Sequence, residues 1–348
     1  MGDADLPSVR KTLSERTDSW EAGVSSKFFN NSLSLEITWY KSNTKKQTFK
    51  VPISAGSGYD SMYAQSGNVE NKGMEFSLGY NHKWNDFGWN SNVTFSFNKN
   101  KIVDLLTDYV DELTGTTYTL RETDQGGFGS ARTILRKGGS MGDMYVNNRL
   151  KRDPEGNVWI DPATQNVKKE KIESSDDYIK IGSVLPKSNL GFRNDFTYKG
   201  FSLGFMFAAR FGGIVLSPTQ AAMDAFGVSK ASALARDNEG ISVNKGKVDP
   251  QTFYTETAGT SGLMANYVYS ATNVRLQEAS FGYAFPARWF NNKLNLSLSI
   301  VGHNLWMIYN KAPFDPEVTA STGTYYQGID YFMQPSLRSV GFNVKIQF

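Results

Sequence analysis

Few residues in this chain have the types and spacing for catalysis or metal binding. There are only two histidines, His82 and His303, both near the ends of predicted strands. Neither has His, Asp or Glu neighbours at ligand spacing, so packing or a polar rim suits them better than a metal. With no cysteine, both a thiolate zinc site and a disulfide framework are excluded. Asp153-Pro-Glu-Gly-Asn-Val-Trp-Ile-Asp161 is an acidic loop around a glycine, but it lacks the regular spacing of a calcium loop and reads as a solvated turn. Ser140, in Gly139-Ser-Met-Gly142, lacks the G-x-S-x-G context of a nucleophile elbow. No triad or paired carboxylates follow from spacing, and no cofactor is expected. What remains is a binding chemistry. Trp159, Tyr178, Phe226, Tyr254, Tyr267, Tyr325 and Tyr326 stand in polar loops. There they either offer CH–π platforms to sugars or pack the loops onto one another. Charged residues in alternating segments, Glu36, Glu75, Arg193, Asp195, Arg210 and Arg275, either line a path or pair with each other.

The elements that position these residues are strands. The last residues alternate: Val340, Phe342, Val344, Ile346 and Phe348 point one way, and Ser339, Gly341, Asn343, Lys345 and Gln347 the other. Stretches of roughly ten such residues recur, the length a tilted strand needs to cross a bilayer. About nine can be traced. They start near Ser19, Leu33, Met74, Asn92, Leu190, Phe201, Val274, Leu294 and Val340. Turns are expected at Asn30-Asn31, at Lys83 to Asp86, at Gly200 and over 286–292. Residues 48–67, with Pro52, Gly56 and Gly58, and residues 101–187, 212–267 and 304–334 form long polar connections, with a short helix from Thr219 to Phe226. Short and long connections thus alternate, as periplasmic turns and extracellular loops do in a membrane barrel. In the seventh strand Val274 and Leu276 share one parity, while Ala279, Phe281, Tyr283 and Phe285 share the other. One extra residue near Gln277-Glu278 restores a single apolar face, which predicts a β-bulge.

Composition agrees. Mean hydropathy is −0.43 and hydrophobic residues make up 39%, values that would suit a soluble protein. A barrel wall escapes that test because its lumen face dilutes its lipid face. The 23 Phe and 17 Tyr suit strands and interfacial girdles. A net charge of +3 argues against nucleic acid as a partner. No apolar run approaches the ~20 residues of a membrane helix. Met1-Gly-Asp-Ala-Asp-Leu-Pro7 has no basic or apolar region of a signal peptide. An odd strand count suggests part of a larger barrel.

Several segments, in order, resemble the C-terminal half of SusC/RagA-like TonB-linked outer-membrane transporters. They are Phe28-Phe-Asn-Asn-Ser-Leu-Ser-Leu-Glu-Ile-Thr-Trp-Tyr40, Gly67-Asn-Val-Glu-Asn-Lys-Gly-Met-Glu75, Ile181-Gly-Ser-Val-Leu-Pro-Lys-Ser-Asn-Leu-Gly-Phe192, Leu234-Ala-Arg-Asp-Asn-Glu-Gly240, Val274-Arg-Leu-Gln-Glu-Ala-Ser-Phe-Gly-Tyr283 and Gly302-His-Asn-Leu-Trp306. The resemblance implies an all-β fold: a transmembrane antiparallel β-barrel of about 22 strands with a plugged lumen. Residues 1–348 would supply the C-terminal nine strands, while the signal peptide, TonB box and plug lie elsewhere. It implies import of glycans or oligopeptides across the bacterial outer membrane, energy from the TonB complex, a SusD-like surface lipoprotein as lid, and contact with outer-membrane lipid. Substrate contacts are expected from Trp159, Tyr178, Phe226, Tyr254, Tyr325, Tyr326, Arg193 and Arg210. The alternatives are a passive porin or structural barrel, and a barrel hydrolase.

Overall fold

A computed structural model describes residues 14–52, 61–110, 115, 117–317, 320 and 326–348. Its main feature is one antiparallel sheet of nine strands in sequence order. These are β1 (Arg16–Phe28), β2 (Leu33–Pro52), β3 (Ser61–Trp84), β4 (Phe87–Asp104), β5 (Ser188–Tyr198), β6 (Phe201–Phe211), β7 (Asn273–Ala284), β8 (Asn295–Asn310) and β9 (Ser339–Gln347). The predicted strands are therefore present, each near its expected place. β1 and β9 are the sheet's edges, with no ladder between them among the described residues. No helix of the described residues is long and apolar enough to cross a membrane, which says nothing about strands.

The register puts apolar side chains on one face of the whole sheet. Leu35, Leu78, Val93, Phe192, Phe207, Leu276 and Trp306 follow one another across seven strands. Met206 pairs with Glu278 and Phe207 with Leu276, so Gln277 is the extra residue. The bulge lies where the parity change placed it, and it keeps Leu276 and Phe281 on the same face. Val340, Phe342, Val344 and Ile346 are exposed, as is Leu298 opposite Val344. No protein core covers this face at the last hairpin.

Short turns close one end. Lys199 (φ 45°) and Gly200 (φ 88°) both take positive φ between paired Tyr198 and Phe201, the backbone a two-residue hairpin needs to match strand twist. Asn85 (φ 50°) does the same between Trp84 and Phe87, and Asn30, Asn31, Asn291 and Asn292 turn the other two connections. Around these turns Trp84, Phe87, Trp89, Phe196, Phe201, Tyr283, Phe285 and Trp289 touch ring to ring. They form the girdle expected at one membrane interface.

At the other end the strands outrun their predicted limits. β2 and β3 continue as a hairpin to Pro52 and from Ser61, so the expected 48–67 loop is mostly ladder; Gly56 and Gly58 lie outside the described residues. Pairing shifts around Lys46 (φ 58°), which turns Phe49 to the inner face. There its ring lies against Gly67, where a Cβ would stand 1.9 Å from Phe49 Cε2. Phe49, Val69 and Ile102 then pack with Leu105, Leu106 and Leu135. The connections 105–187 and 212–272 fold rather than dangle. The first holds a four-stranded sheet, Glu122–Phe128, Ala131–Arg136, Asp143–Val146 and Ile179–Ser183. The second holds three short helices, α1 (Pro218–Ala225), α2 (Lys230–Asp237) and α3 (Pro250–Thr257), each capped by a side chain: Ser217, Ser229 and Asp249.

Candidate functional site

The face of the sheet opposite the apolar one is polar. Glu36, Thr38, Glu75, Ser77, Thr94 and Ser96 line it, together with Asn189, Gly191, Arg210 and Glu317, around a cavity of about 460 Å³. Strand alternation aims the strand side chains inward, and Glu317 reaches in from the connection between β8 and β9. Gly73 shows how tightly the wall is built: Tyr40 lies opposite it, and a Cβ there would stand 2.1 Å from the Phe97 carbonyl oxygen and 2.7 Å from the Tyr40 hydroxyl. That hydroxyl donates to Asn98 Oδ1 at 3.2 Å. The glycine of the Asn71-Lys-Gly-Met-Glu75 segment is thus a steric requirement.

Arg193 lies on this wall and is held by three charge-assisted bonds. Its Nε and Nη2 donate to the two Asp195 oxygens at 2.9 and 3.0 Å, and Nη1 to Glu278 Oε1 at 3.2 Å. His303 Nδ1 stands 3.7 Å from the other Glu278 oxygen. Arg210, at the upper rim, donates from Nη2 to the Val184 carbonyl at 2.9 Å, while its buried Nε has no partner among the described residues. Arg275 ties a third connection to the wall. It is buried and bonds Asp315 at 2.9 Å, Glu317 at 3.3 Å and Asn273 Oδ1 at 3.2 Å. Burial pushes the Asp315 carboxyl up, but bonds from Ser336, the Glu317 amide and Arg275 more than offset it, and the group stays below the usual range.

Above the wall three of the outer connections form a single cap. Ala131, Met144, Val146 and Val184 come from the first, Leu216, Ala221, Ala258, Met264 and Tyr267 from the second, and Ile329 from the third; all are buried in one cluster. Polar bonds follow the same seams. Ser130 Oγ and Asn148 Nδ2 both donate to the Gly262 carbonyl, at 3.0 and 3.1 Å. Ser217 Oγ donates to Asp330 Oδ2 at 2.6 Å, beside the Leu216–Ile329 bridge. Tyr267 donates to Asp224 Oδ2 at 3.0 Å, and burial beside that carboxylate pushes its phenol pKa far up.

The aromatic candidates divide between the two expected roles. Tyr267 is a core residue, not a platform. Trp159 is half-buried, with the Lys151 ammonium 4.3 Å over its ring, so one face is taken. Tyr178 is half-buried at the end of a single 3-10 turn. Phe226, 82% exposed, and half-buried Tyr254 line one cleft of about 300 Å³ with Arg236 and Gln251. Tyr326 is exposed at 42%, and Tyr325 lies outside the described residues. Only Phe226 and Tyr254 are brought together; Arg193 and Arg210 stand apart on the wall. Sequence reasoning missed Asp315, Glu317 and Asn273 as the partners of Arg275. Asp315 and Glu317 carry no local signal because they lie about 40 residues away, whereas Asn273, two residues before Arg275 on the same strand face, is within reach of a local pattern.

A nine-stranded sheet, apolar outside and polar inside, with an aromatic girdle at the short-turn end, defines the wall of a membrane-spanning β-barrel. Residues 7–169 match the family model of the TonB dependent receptor-like β-barrel. TonB-dependent receptor P3 of Formosa agariphila is 29% identical over 95% of this chain and 34% of its own length. TonB-dependent receptor SusC of Bacteroides thetaiotaomicron is 24% identical over 96% of this chain and 32% of its own. The RagAB peptide transporter structure superposes with a TM-score of 0.64 at 20% identity, over 95% of this chain and 35% of that one. Along nearly its whole length the chain is similar to TonB-dependent receptors, and residues 7–169 match their β-barrel, a fold of the outer membrane. It spans about a third of the length of the curated relatives it matches.

Proposed function

We propose that residues 1–348 form the C-terminal barrel wall and outer cap of a TonB-dependent importer that takes up glycans or oligopeptides with a SusD-like surface lipoprotein. One observation carries this reading. Every short turn lies at one end of the sheet, and the long connections gather at the other into a cap above a polar wall. In such barrels the long-loop end faces outward, so the cap meets substrate first. The neighbour with a stated substrate is a peptide transporter, and a relative is SusC. Both lean towards nutrient uptake with an accessory lipoprotein. Coupling to the TonB complex is assigned to regions of a longer protein beyond this chain. Within it, the Phe226–Tyr254 cleft and the Arg193–Arg210 wall are the proposed substrate contacts.

The experiment is uptake of labelled oligosaccharides and oligopeptides by cells with and without the full-length gene. Uptake that needs both the gene and an intact TonB complex supports the reading. Uptake that persists without TonB points to a passive barrel and overturns it. Protease added to intact cells should cut within 101–187 or 212–267. Cleavage confined to 83–86 and 286–292 would reverse the orientation.

A further inference from the structure

The lipid-facing wall has one feature its transport role does not need. Lys41 pairs with Lys72, and Lys72 with Lys99, so three lysines occupy one rung across β2, β3 and β4. They have the parity of the apolar face. The rung beneath them on that face is Trp39, Met74 and Phe97, all exposed. Lys101, next along β4 on the same face, pairs with Glu70. Adjacent strands lie ~4.8 Å apart, so the three rung lysines are rooted within roughly 10 Å. Like charges directly opposite one another are unfavourable, so such a row needs counter-charge.

The protein supplies little of it. Glu70 lies 3.0 Å from Lys41 and 3.5 Å from Lys72. Lys99 and Lys101 are exposed, without a hydrogen-bond or ion-pair partner among the described residues. Nearby, Arg16 and Lys45 both hold Asp18, at 2.7 and 2.9 Å, and Lys137 holds Asp104 at 3.1 Å. The open charge of Lys99 and Lys101 thus sits on the first two rungs beyond the apolar band, at headgroup height. Trp20, 76% exposed, ends the same rung next to Lys41.

We propose that Lys72, Lys99 and Lys101, with Lys41, bind the phosphate of an anionic lipid headgroup in the leaflet at the long-loop end. A phosphate offers several acceptor oxygens to charge-assisted N–H bonds. Acyl chains attached to it would lie down along Met74, Trp39 and Phe97, which a soluble phosphate would leave unused. The inference rests on the outer-membrane location and not on any transported substrate.

The test uses the full-length protein in detergent and native mass spectrometry. Phosphatidic acid competes with phosphatidylcholine of the same acyl chains. The native protein should prefer phosphatidic acid at least about tenfold, given the attraction each lysine exerts on an anionic headgroup. Lys72→Gln/Lys99→Gln/Lys101→Gln should reduce the preference to within about twofold, and the triple Lys→Arg variant should retain it. Lys171→Gln/Lys230→Gln/Lys245→Gln, an equal charge change on the cap, should leave it intact. A native protein without preference, or a triple glutamine variant that keeps it, overturns the proposal. Displacement of the lipid by inorganic phosphate at equal concentration also overturns it, and would make the site one for a soluble anion.

Discussion

Replacing Leu78 by arginine probes the placement of the sheet in the membrane. Along β3 the outward residues are Met74, Phe76, Leu78, Tyr80, His82 and Trp84, with Lys72 above them. From Met74 to Trp84 is about ten residues; at ~3.4 Å each and a tilt near 40° they rise roughly 26 Å. That is the height of the apolar band on an outer-membrane barrel. Leu78 lies close to its middle, between Leu35 and Val93 on the neighbouring strands. Leu78→Arg should therefore cost about 2–4 kcal/mol, the range for arginine on a lipid face near the midplane. Ser77 is one residue away but faces the polar wall, opposite Glu36 and beside Glu75. An arginine there gains carboxylate neighbours and should cost far less. Denaturant unfolding of the full-length protein in phosphatidylcholine vesicles, read by tryptophan fluorescence, compares the two. Equal losses, or a greater loss for Ser77→Arg, would refute the assignment of faces. Leu298→Arg or Val344→Arg against Ser297→Arg repeats the comparison on the last hairpin.

Three further outcomes follow from local geometry. Gly73→Ala should cost about 1–3 kcal/mol, because the new Cβ meets the Phe97 carbonyl of the neighbouring strand, which cannot move aside as a side chain can; the same unfolding assay reads it. Arg275→Gln removes one partner of a buried pair and should loosen residues 311–317 and 326–338 by about 3–5 kcal/mol. Hydrogen exchange should rise there while the β5–β6 ladder stays protected. In α3, the Thr252 amide, then the Thr252 hydroxyl, hold the Asp249 carboxyl below its ordinary value. A depressed carboxylate stabilises above its unfolded pKa of about 3.9, and that contribution is lost as pH falls through the lower folded value. Amide protection at Thr252 and Phe253 should therefore drop in acid below that range, and Asp249→Asn should flatten the response.

The strands were legible because a two-residue period with one apolar face survives in composition and order alone. The bulge at Gln277 was legible for the same reason: apolar residues flank it on both sides, so the slip shows as a parity change. The irregularity at Lys46 was not. Lys45, Lys46 and Gln47 are polar on either parity, and a slip among them leaves no trace in hydropathy. Strand ends are less legible for a related reason. Apolar alternation stops at the headgroups, whereas backbone pairing in β2, β3 and β4 continues beyond them. The sequence shows the cap only as long polar loops and a short helix. Its strands run from two to seven residues, and its core joins residues such as Ala131 and Ile329 that no local window contains. The same holds for the site: Phe226 and Tyr254 were visible as aromatics, but their shared cleft depends on how α1, α2 and α3 pack.

The cap's single core has a consequence for how such proteins diversify. Met144, Leu216 and Ile329 come from three separate connections and bury one another. A crossover that exchanged one connection with a relative would carry half of an interface and leave apolar surface without its mate. The unit of inheritance for a new outer surface is then the whole set of three, spread over more than half the chain's sequence yet interrupted by strands that must stay in register. Drift in these loops is thereby confined to their solvent side, and a grafted specificity would arrive as a block or not at all.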